Sequence, residues 1–150
     1  MKIYFSCSVT GGRADEPLYA AIVADLLAHG HDVLTAHLAR PDVLDLEQSM
    51  EAREVYQRDV RWIQAADVLI AEVSTPSHGV GYEIALALAA RKPVLCLYRQ
   101  CARVSKMITG NDEPTLVLGA YSDAAGALQL VSHFLERVAG ASNVRPAGSP

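Results

Sequence analysis

The sequence has few cysteines, no surplus of positive charge and no long apolar run. Its three cysteines, Cys7, Cys96 and Cys101, form no CxxC pair, which fits reduced thiols in a cytosol better than a disulfide framework. The 13 basic against 17 acidic residues leave a net charge of -4, so no broad cationic surface is available for a nucleic-acid polymer. No apolar stretch approaches the roughly 20 residues that cross a bilayer. We therefore expect a cytoplasmic protein that binds neither nucleic-acid polymers nor membranes.

Common nucleotide-binding and metal-binding motifs are also missing. The glycine-rich stretch SCSVTGGR, residues 6–13, matches neither GxGxxG nor GxxxxGK[ST]. No acidic residue closes the second predicted strand, where one would hold an adenosine ribose. These absences disfavour a dinucleotide site and a Walker-type site. No set of His, Cys, Asp and Glu residues stands out with the spacing of metal ligands, so no metal site is predicted.

What the sequence does have is a regular alternation of two patterns. With 150 residues, 51% of them hydrophobic, the chain can bury a sizeable core in one domain. Short β-prone runs alternate with longer helical patterns, which is typical of a parallel sheet with helices on both faces. We predict five parallel strands in one domain over residues 1–140, and a flexible tail over 141–150 that has no hydrophobic period. The predicted strands are KIYFS, HDVLTA, DVLIAEV, PVLCLYR and TLVLG.

Candidate binding residues follow the strands, because ligands of an open parallel sheet bind at the carboxyl ends of its strands. After the first strand, Ser6, Ser8 and Thr10 offer hydroxyls, and Gly11 lets backbone N–H groups turn toward an anion. This would suit a phosphate or a sugar hydroxyl, and an ordinary glycine-rich turn is an equally open interpretation. His37, in the stretch after the second strand, is a further candidate for substrate binding.

Asp59 interrupts an apolar stripe on the helix predicted before the third strand. The stripe recurs at spacings of three and four residues. Its members are Ala52, Val55, Tyr56, Trp62, Ile63 and Ala66. Because Arg58 and Arg61 fall on other faces, Asp59 is expected to point inward, where an unpaired carboxylate is costly. Two interpretations stay open: a buried Asp bonded to loop backbone, and a carboxylate aimed at a cleft.

Glu83 lies at the predicted start of the helix YEIALALAARK. An acidic residue in a first helical turn typically contributes about 0.3–1 kcal/mol through the helix dipole, so one interpretation is a cap. The other is a nucleophile, because this helix is apolar nearly all round and Ser77, Gly79 and Gly81 before it would let a ligand come close. Asp59 and Glu83 together resemble the acid and nucleophile of retaining glycosidic cleavage, whose carboxyl groups lie roughly 5 Å apart.

Three stretches resemble one family: YFSCSVTGGR at 4–13, RDVRWIQAADVLIAEVSTPSHGVGYEIALAL at 58–88, and VLCLYR with RVSKMI within 94–108. They are similar to the 2'-deoxynucleoside 5'-monophosphate N-glycosidases of the nucleoside 2-deoxyribosyltransferase superfamily. The resemblance covers nearly the whole chain except the tail. It implies a flavodoxin-like (Rossmann-like) three-layer α/β fold, a homodimer, and no metal or organic cofactor. The implied reaction is hydrolysis of the bond between base and 2-deoxyribose in a small deoxynucleotide.

The resemblance also implies roles for individual residues. Glu83 attacks the anomeric carbon to form a covalent deoxyribosyl ester, which water then resolves. Asp59 helps to position or protonate the reacting groups, and Tyr4 lies beside the nucleophile. The remaining matches are sugar and phosphate contacts. They are Ser8, Gly11, Ser77 and Gly79 from one subunit, with Ser105 and Met107 lent by the partner subunit.

One position departs from the family pattern. Thr10 stands where mammalian members carry an arginine, and a neutral hydroxyl cannot form a bidentate charged pair with a phosphate. Arg13, Ser8, Ser77 and Ser105 remain available for that group, so the need for a 5'-phosphate stays open. Two other functions also stay open: a deoxyribosyltransferase that passes the sugar to another base, and a catalytically silent nucleotide-binding module.

Overall fold

The computed structural model describes residues 1–9 and 15–143, without the side chains of 46, 47, 142 and 143. Its strands are β1 (Lys2–Ser6), β2 (Asp32–Val33), β3 (Val68–Glu72), β4 (Val94–Arg99) and β5 (Leu116–Tyr121). Its helices are α1 (Glu16–Ala28), a 3-10 helix (Ala36–Ala39), α2 (Val43–Gln48), α3 (Ala52–Ala65), α4 (His78–Ala89), α5 (Lys106–Thr109) and α6 (Ala124–Asn143).

All neighbouring strands pair in parallel, in the order β2-β1-β3-β4-β5. This is the flavodoxin-like order, in which the crevice for ligands opens between β1 and β3 at their carboxyl ends. The predicted α/β fold with five parallel strands is therefore confirmed.

Strand β2 is shorter than the predicted run HDVLTA, because the Thr35 hydroxyl accepts the N–H of Phe5 at 2.9 Å and donates to its C=O at 2.6 Å. A side chain thus replaces the backbone ladder there.

The sheet separates two apolar layers, and side chains alternate between them along each strand. Ile3 and Phe5 of β1 pack into the layer formed with α1 and α6. Tyr4, between them, packs into the layer formed with α3 and α4. By the same period of two, Ser6 shares the face of Tyr4, and Glu72 of β3 shares the face of Ile70. The two faces of the sheet therefore carry different polar groups at the same carboxyl edge.

Helix α4 begins four residues earlier than the predicted start at Tyr82. Ser77 is its N-cap, and the Ser77 hydroxyl accepts the backbone N–H of Val80 at 3.5 Å. Gly79 and Gly81 therefore belong to the helix and not to the preceding loop. The hydrophobic pattern missed this turn because glycine is a poor helix former, whereas a serine cap is the signal that marks it.

Helices α3 and α4 are less buried than their sequences suggest. On α4, Val80, Ile84 and Ala87 are buried, but the ring of Tyr82 is 52% exposed. On α3, the stripe residue Tyr56 is 53% exposed and lies against Tyr82, with ring centroids 6.4 Å apart. Although the sequence of α4 is apolar nearly all round, the single chain does not cover this helix on all sides. An apolar face is left open where these two helices meet solvent.

The last helix continues three residues past the predicted domain end at 140. Helix α6 extends to Asn143, and the rest of the predicted tail lies outside the described residues. Within residues 1–9 and 15–143, no helix is both long and apolar enough to span a membrane.

Candidate active site

The carboxylate of Glu83 is held by two hydroxyls of β1. The Tyr4 hydroxyl donates to Glu83 Oε1 at 2.9 Å, and the Ser6 hydroxyl donates to Oε2 at 2.5 Å. Tyr4 and Ser6 reach the same carboxylate because residues two apart on a strand point to the same face. Both are fully buried, whereas Glu83 is partly exposed. Ser6, which was predicted as a substrate contact, is thus a direct partner of Glu83.

The environment of Tyr4 keeps its hydroxyl protonated. Burial raises the pKa of Tyr4 far above its ordinary value, and the negative charges of Glu83 and then Asp59 raise it further. Arg58 lowers that pKa in part. A phenol with such a raised pKa donates a hydrogen bond and does not act as a base near neutral pH. Because both carboxylates act on Tyr4, Asp59 of α3 and Glu83 of α4 belong to one electrostatic cluster.

Asp59 is paired with a cation and is not isolated in the apolar layer. Arg58 Nε donates to Asp59 Oδ1 at 2.8 Å, and the two side chains are 14% and 20% exposed. The Arg58 guanidinium also lies over the Trp62 ring, 4.9 Å from its centroid. The rings of His37 and Trp62 are neighbours as well, with centroids 5.6 Å apart. Arg58 was predicted to fall on another face of α3, but its side chain turns back to Asp59. A long side chain can turn back across a helix face, which spacing along the sequence does not reveal.

Glu83 does not act as a cap of α4. The first turn of α4 contains no acidic residue, and Glu83 is the sixth residue of the helix that begins at His78. The stabilising effect of the helix dipole falls off within the first turn, so it does not account for a carboxylate at this position. The chemical interpretation of Glu83 is favoured by this geometry.

Of the remaining predicted contacts, three lie outside the described residues. Thr10, Gly11 and Arg13 fall among residues 10–14, which the structure does not describe. Ser8 is fully buried, and its hydroxyl has no hydrogen-bond partner within the described part of the chain. Such an orphaned hydroxyl is costly unless a ligand or water completes it.

Ser105 and Met107 lie on a different surface. Ser105 caps α5, where its hydroxyl accepts the backbone N–H of Met107 at 3.2 Å, and Met107 is 85% exposed. Together with Ser77 and Gly81 of the α4 side, they line a cavity of about 870 Å³. Glu83 is not among the residues that line it. The structure therefore brings Tyr4, Ser6, Asp59 and Glu83 together and leaves Ser105 and Met107 apart from them.

A second buried carboxyl lies on the opposite face of the sheet. Glu72 is fully buried, and its Oε1 accepts the Ser74 N–H at 3.1 Å, the Ser74 hydroxyl, and the Tyr121 hydroxyl at 2.9 Å. The Tyr19 hydroxyl donates to Oε2 at 3.4 Å. Burial raises the pKa of Glu72, and the hydrogen bonds from Ser74 and Tyr121 offset part of that rise. A charged residue within the apolar run DVLIAEV was the only sign of this cluster in the sequence.

The raised pKa of Glu72 predicts how stability depends on pH. The folded state holds this proton more tightly than the unfolded state does. The resulting contribution to the free energy of unfolding is complete below the ordinary pKa of 4.5 and is lost as pH rises through the folded-state pKa. Glutamine cannot ionise, so the Glu72→Gln protein should not show this loss, which amounts to at most about 1.4 kcal/mol of unfolding free energy per pH unit. Urea unfolding from pH 4 to 8 measures it. The control is Glu136→Gln, an exposed carboxylate that accepts the Ser132 hydroxyl at 3.2 Å. Equal pH slopes for all three proteins would contradict the prediction.

Within residues 1–9 and 15–143, no group of three or more His, Cys, Asp and Glu side chains could hold a metal ion. The candidate site consists of a carboxylate that two hydroxyl donors hold and a second carboxylate that pairs with arginine, at the crevice between β1 and β3. Glycosidases use two neighbouring carboxyl groups, so an α/β fold with this site is a candidate glycosidase.

Comparison with known proteins identifies the family. The nucleoside 2-deoxyribosyltransferase family matches residues 3–128, and the chain belongs to it. A Methanosarcina barkeri relative named 2'-deoxynucleoside 5'-phosphate N-hydrolase 1 is 42% identical over 134 residues, covering 89% of this chain and 84% of the relative. The 5-hydroxymethyl-dUMP N-hydrolase of Rattus norvegicus is 46% identical over 113 residues, covering 73% and 69%.

A solved structure supports the fold independently. The CMP N-glycosidase of Clostridium botulinum superposes with a TM-score of 0.69, covering 89% of this chain and 99% of that chain. Only 17% of the residues are identical, so this likeness concerns the fold alone.

Proposed function

We propose that this protein hydrolyses the N-glycosidic bond of 2'-deoxynucleoside 5'-monophosphates, releasing the free base and 2-deoxyribose 5-phosphate. The observation that carries the proposal is the Glu83 carboxylate, whose two oxygens are fixed by Tyr4 and Ser6 close to Asp59. The family membership and the names of its relatives support the same reaction class. The three free cysteines support a cytoplasmic location for this activity.

Glu83 is the nucleophile in this proposal. One carboxylate oxygen attacks C1' of the deoxyribose, the C1'–N bond breaks, and the base leaves with its electron pair and takes up a proton. Water then attacks C1' and releases Glu83 as a carboxylate, and the proton that water loses balances the one gained by the base. Donation from Tyr4 and Ser6 aligns the attacking group before the substrate arrives, which lowers the entropic cost of the reaction. Asp59 helps to position or protonate the reacting groups.

The sugar phosphate is held by groups at the carboxyl ends of β1 and β3. Ser8 offers a buried hydroxyl that lacks a partner within the described residues, and Ser77 offers a hydroxyl at the N-terminus of α4. Because Gly79 and Gly81 have no side chains, a ligand can approach the backbone of the first turns of that helix. A helix N-terminus favours anions. The proposed phosphate contacts also include Thr10, Gly11 and Arg13. His37 packs against Trp62, whose ring also lies under Arg58, the partner of Asp59, so His37 belongs to the Asp59 side of the site.

The direct test is a product assay. The purified protein is incubated with the four deoxynucleoside monophosphates and with the matching unphosphorylated deoxynucleosides, each with and without an acceptor base. We expect free base and 2-deoxyribose 5-phosphate from the monophosphates without an acceptor. Base exchange that requires an acceptor would make the protein a transferase. Binding of monophosphates without any turnover would make it a silent nucleotide-binding module.

The same proposal includes a homodimer that completes each site. The α4 face around Gly81 and Ala85 is open, and the cavity of about 870 Å³ beside it lies next to the exposed Met107. An apolar helix face that one chain leaves open is commonly covered by another copy. A second copy seated there would cover Tyr82 and bring its own Ser105 and Met107 toward the sugar phosphate.

Complementation between two defective variants tests this arrangement. Glu83→Ala and Ser105→Ala/Met107→Ala are expressed separately and together. If Ser105 and Met107 act across the interface, the mixed dimer contains one intact site, so coexpression should restore up to about a quarter to a half of wild-type activity. Activity no higher than that of either variant alone would show that these residues serve their own subunit. Size-exclusion chromatography with light scattering checks that each protein is dimeric, and a monomeric wild type would contradict the interface.

A further inference from the structure

The buried Glu72 joins the carboxyl ends of three neighbouring strands. Glu72 ends β3, Tyr121 ends β5, and the Tyr121 hydroxyl donates to Glu72 Oε1 at 2.9 Å. The connection to β4 runs through Ser74. While its hydroxyl donates to Glu72, the same oxygen accepts the backbone N–H of Arg99, the last residue of β4, at 2.8 Å. One carboxyl therefore ties together the carboxyl ends of β3, β4 and β5, of which β3 borders the crevice.

Helix α1 is attached to the same cluster at two points. Tyr19 donates to Glu72 Oε2 at 3.4 Å, and Asp15, which precedes α1, pairs with Arg99, with 3.2 Å between Oδ1 and Nη1. None of these groups is among those that hold Glu83, because Glu72 points to the α1 and α6 face and Glu83 lies on the other. The cluster lies behind the candidate site, on the far side of the sheet.

The chain that leaves this cluster leads directly to the candidate site. Ser74 is the second residue of the β3–α4 segment 73–77, Ser77 ends that segment as the N-cap of α4, and Glu83 follows on the helix. We propose that Glu72 is a positioning residue for the glycosidic reaction, which through Ser74 fixes the β3–α4 segment and with it the Ser77 hydroxyl. The inference rests on the proposed function. Glu72 itself touches no substrate.

The energetic argument concerns hydrogen bonds that cannot be replaced by water. Glu72 is fully buried and Ser74 is 8% exposed, so a donor that loses its acceptor here is left unsatisfied. The β3–α4 segment would then move until its polar groups find other partners. A displaced Ser77 hydroxyl would no longer meet the sugar phosphate, which removes about one hydrogen bond from substrate binding. Glu83 keeps its own two bonds, so the loss should fall on the binding of the sugar phosphate.

Three variants separate a positioning role from a structural one. Glu72→Gln keeps an oxygen that accepts from Ser74 and Tyr121, Glu72→Met removes it at similar size, and Ser74→Ala removes the link to Arg99. The control is Ser132→Ala, which removes an exposed serine that donates to a carboxylate at 3.2 Å. Base release from a deoxynucleoside monophosphate is measured with each folded protein, and thermal unfolding is followed by circular dichroism.

We expect Glu72→Met and Ser74→Ala to raise KM by about tenfold, the effect of one lost hydrogen bond, with a much smaller change in kcat. Glu72→Gln should rescue KM to within about threefold, and Ser132→Ala should match the wild type. A folded Ser74→Ala protein with lower thermal stability but wild-type KM would overturn the inference, as would a fall in kcat alone. If Glu72→Met fails to fold, Ser74→Ala carries the test. An inactive wild type would refute the proposed function, whereas an active wild type with an unaffected Ser74→Ala refutes only this inference.

Discussion

Replacing Glu83 with alanine should reduce kcat by about 10⁴-fold or more, as expected for the loss of a covalent nucleophile. The carboxylate is the group that two hydroxyls of β1 converge on, and no other described side chain is held by both Tyr4 and Ser6. Removing it leaves two buried donors without their acceptor, which costs about 1–3 kcal/mol per donor in folding stability. Glu83→Ala should therefore unfold at a lower temperature but remain folded at the assay temperature. Base release under single-turnover conditions is the measurement.

Two further variants make the Glu83 result specific. Glu83→Gln keeps an oxygen acceptor for Tyr4 but is a poor nucleophile, so it should bind the substrate and release no base. Glu136→Gln makes the same chemical change at an exposed position of α6 and should have wild-type kinetics. A folded Glu83→Ala protein with the wild-type rate would refute the assignment of Glu83 as the nucleophile.

Replacing Asp59 with asparagine should reduce kcat/KM by about 10²- to 10⁴-fold, the range for loss of a group that transfers or orients a proton. Asparagine keeps the shape and one hydrogen-bond acceptor for Arg58, so the loss would come from the missing charge. The charge matters because Asp59 and Glu83 act on the same hydroxyl, that of Tyr4.

The control for Asp59 is an exposed pair of the same type. Asp42 accepts Arg40 Nε at 2.8 Å and Nη2 at 2.6 Å, and these side chains are 45% and 59% exposed. Exposed ion pairs contribute little, so Asp42→Asn should leave kcat/KM unchanged. If Asp59→Asn is as active as Asp42→Asn, Asp59 serves only to hold Arg58 and Trp62 in place.

The fold could be predicted from the sequence because its signals are local. Apolar runs such as VLIAEV have the length of strands, and the helices between them force a parallel sheet. The expected position of Glu83 and the strand-end residues followed from the rule that ligands bind at the carboxyl edge. The order β2-β1-β3-β4-β5 then followed only from the resemblance to the family, because periodicity along the chain does not specify which strands pair.

The partners of the site residues could not be predicted, because they depend on directions of side chains across elements. Tyr4 and Glu83 are 79 residues apart in sequence, and their contact exists only once β1 and α4 are packed. Arg58 turned toward Asp59 although its helical position faces elsewhere. The start of α4 was missed because its cap and two glycines resemble a loop. The role of Glu72 depends on three strands meeting, which no single stretch of sequence shows.

The central claim is that Glu83 forms a covalent bond to the sugar, and the stereochemistry of the product tests it most directly. Two successive displacements at C1' retain the configuration of the substrate, whereas one direct attack by solvent inverts it. Turnover of a deoxynucleoside monophosphate in water containing methanol should yield some methyl 2-deoxyriboside 5-phosphate, which does not interconvert between anomers. The proposed mechanism predicts the β-methyl product by proton NMR spectroscopy. The α-methyl product as the main enzymatic anomer would contradict it.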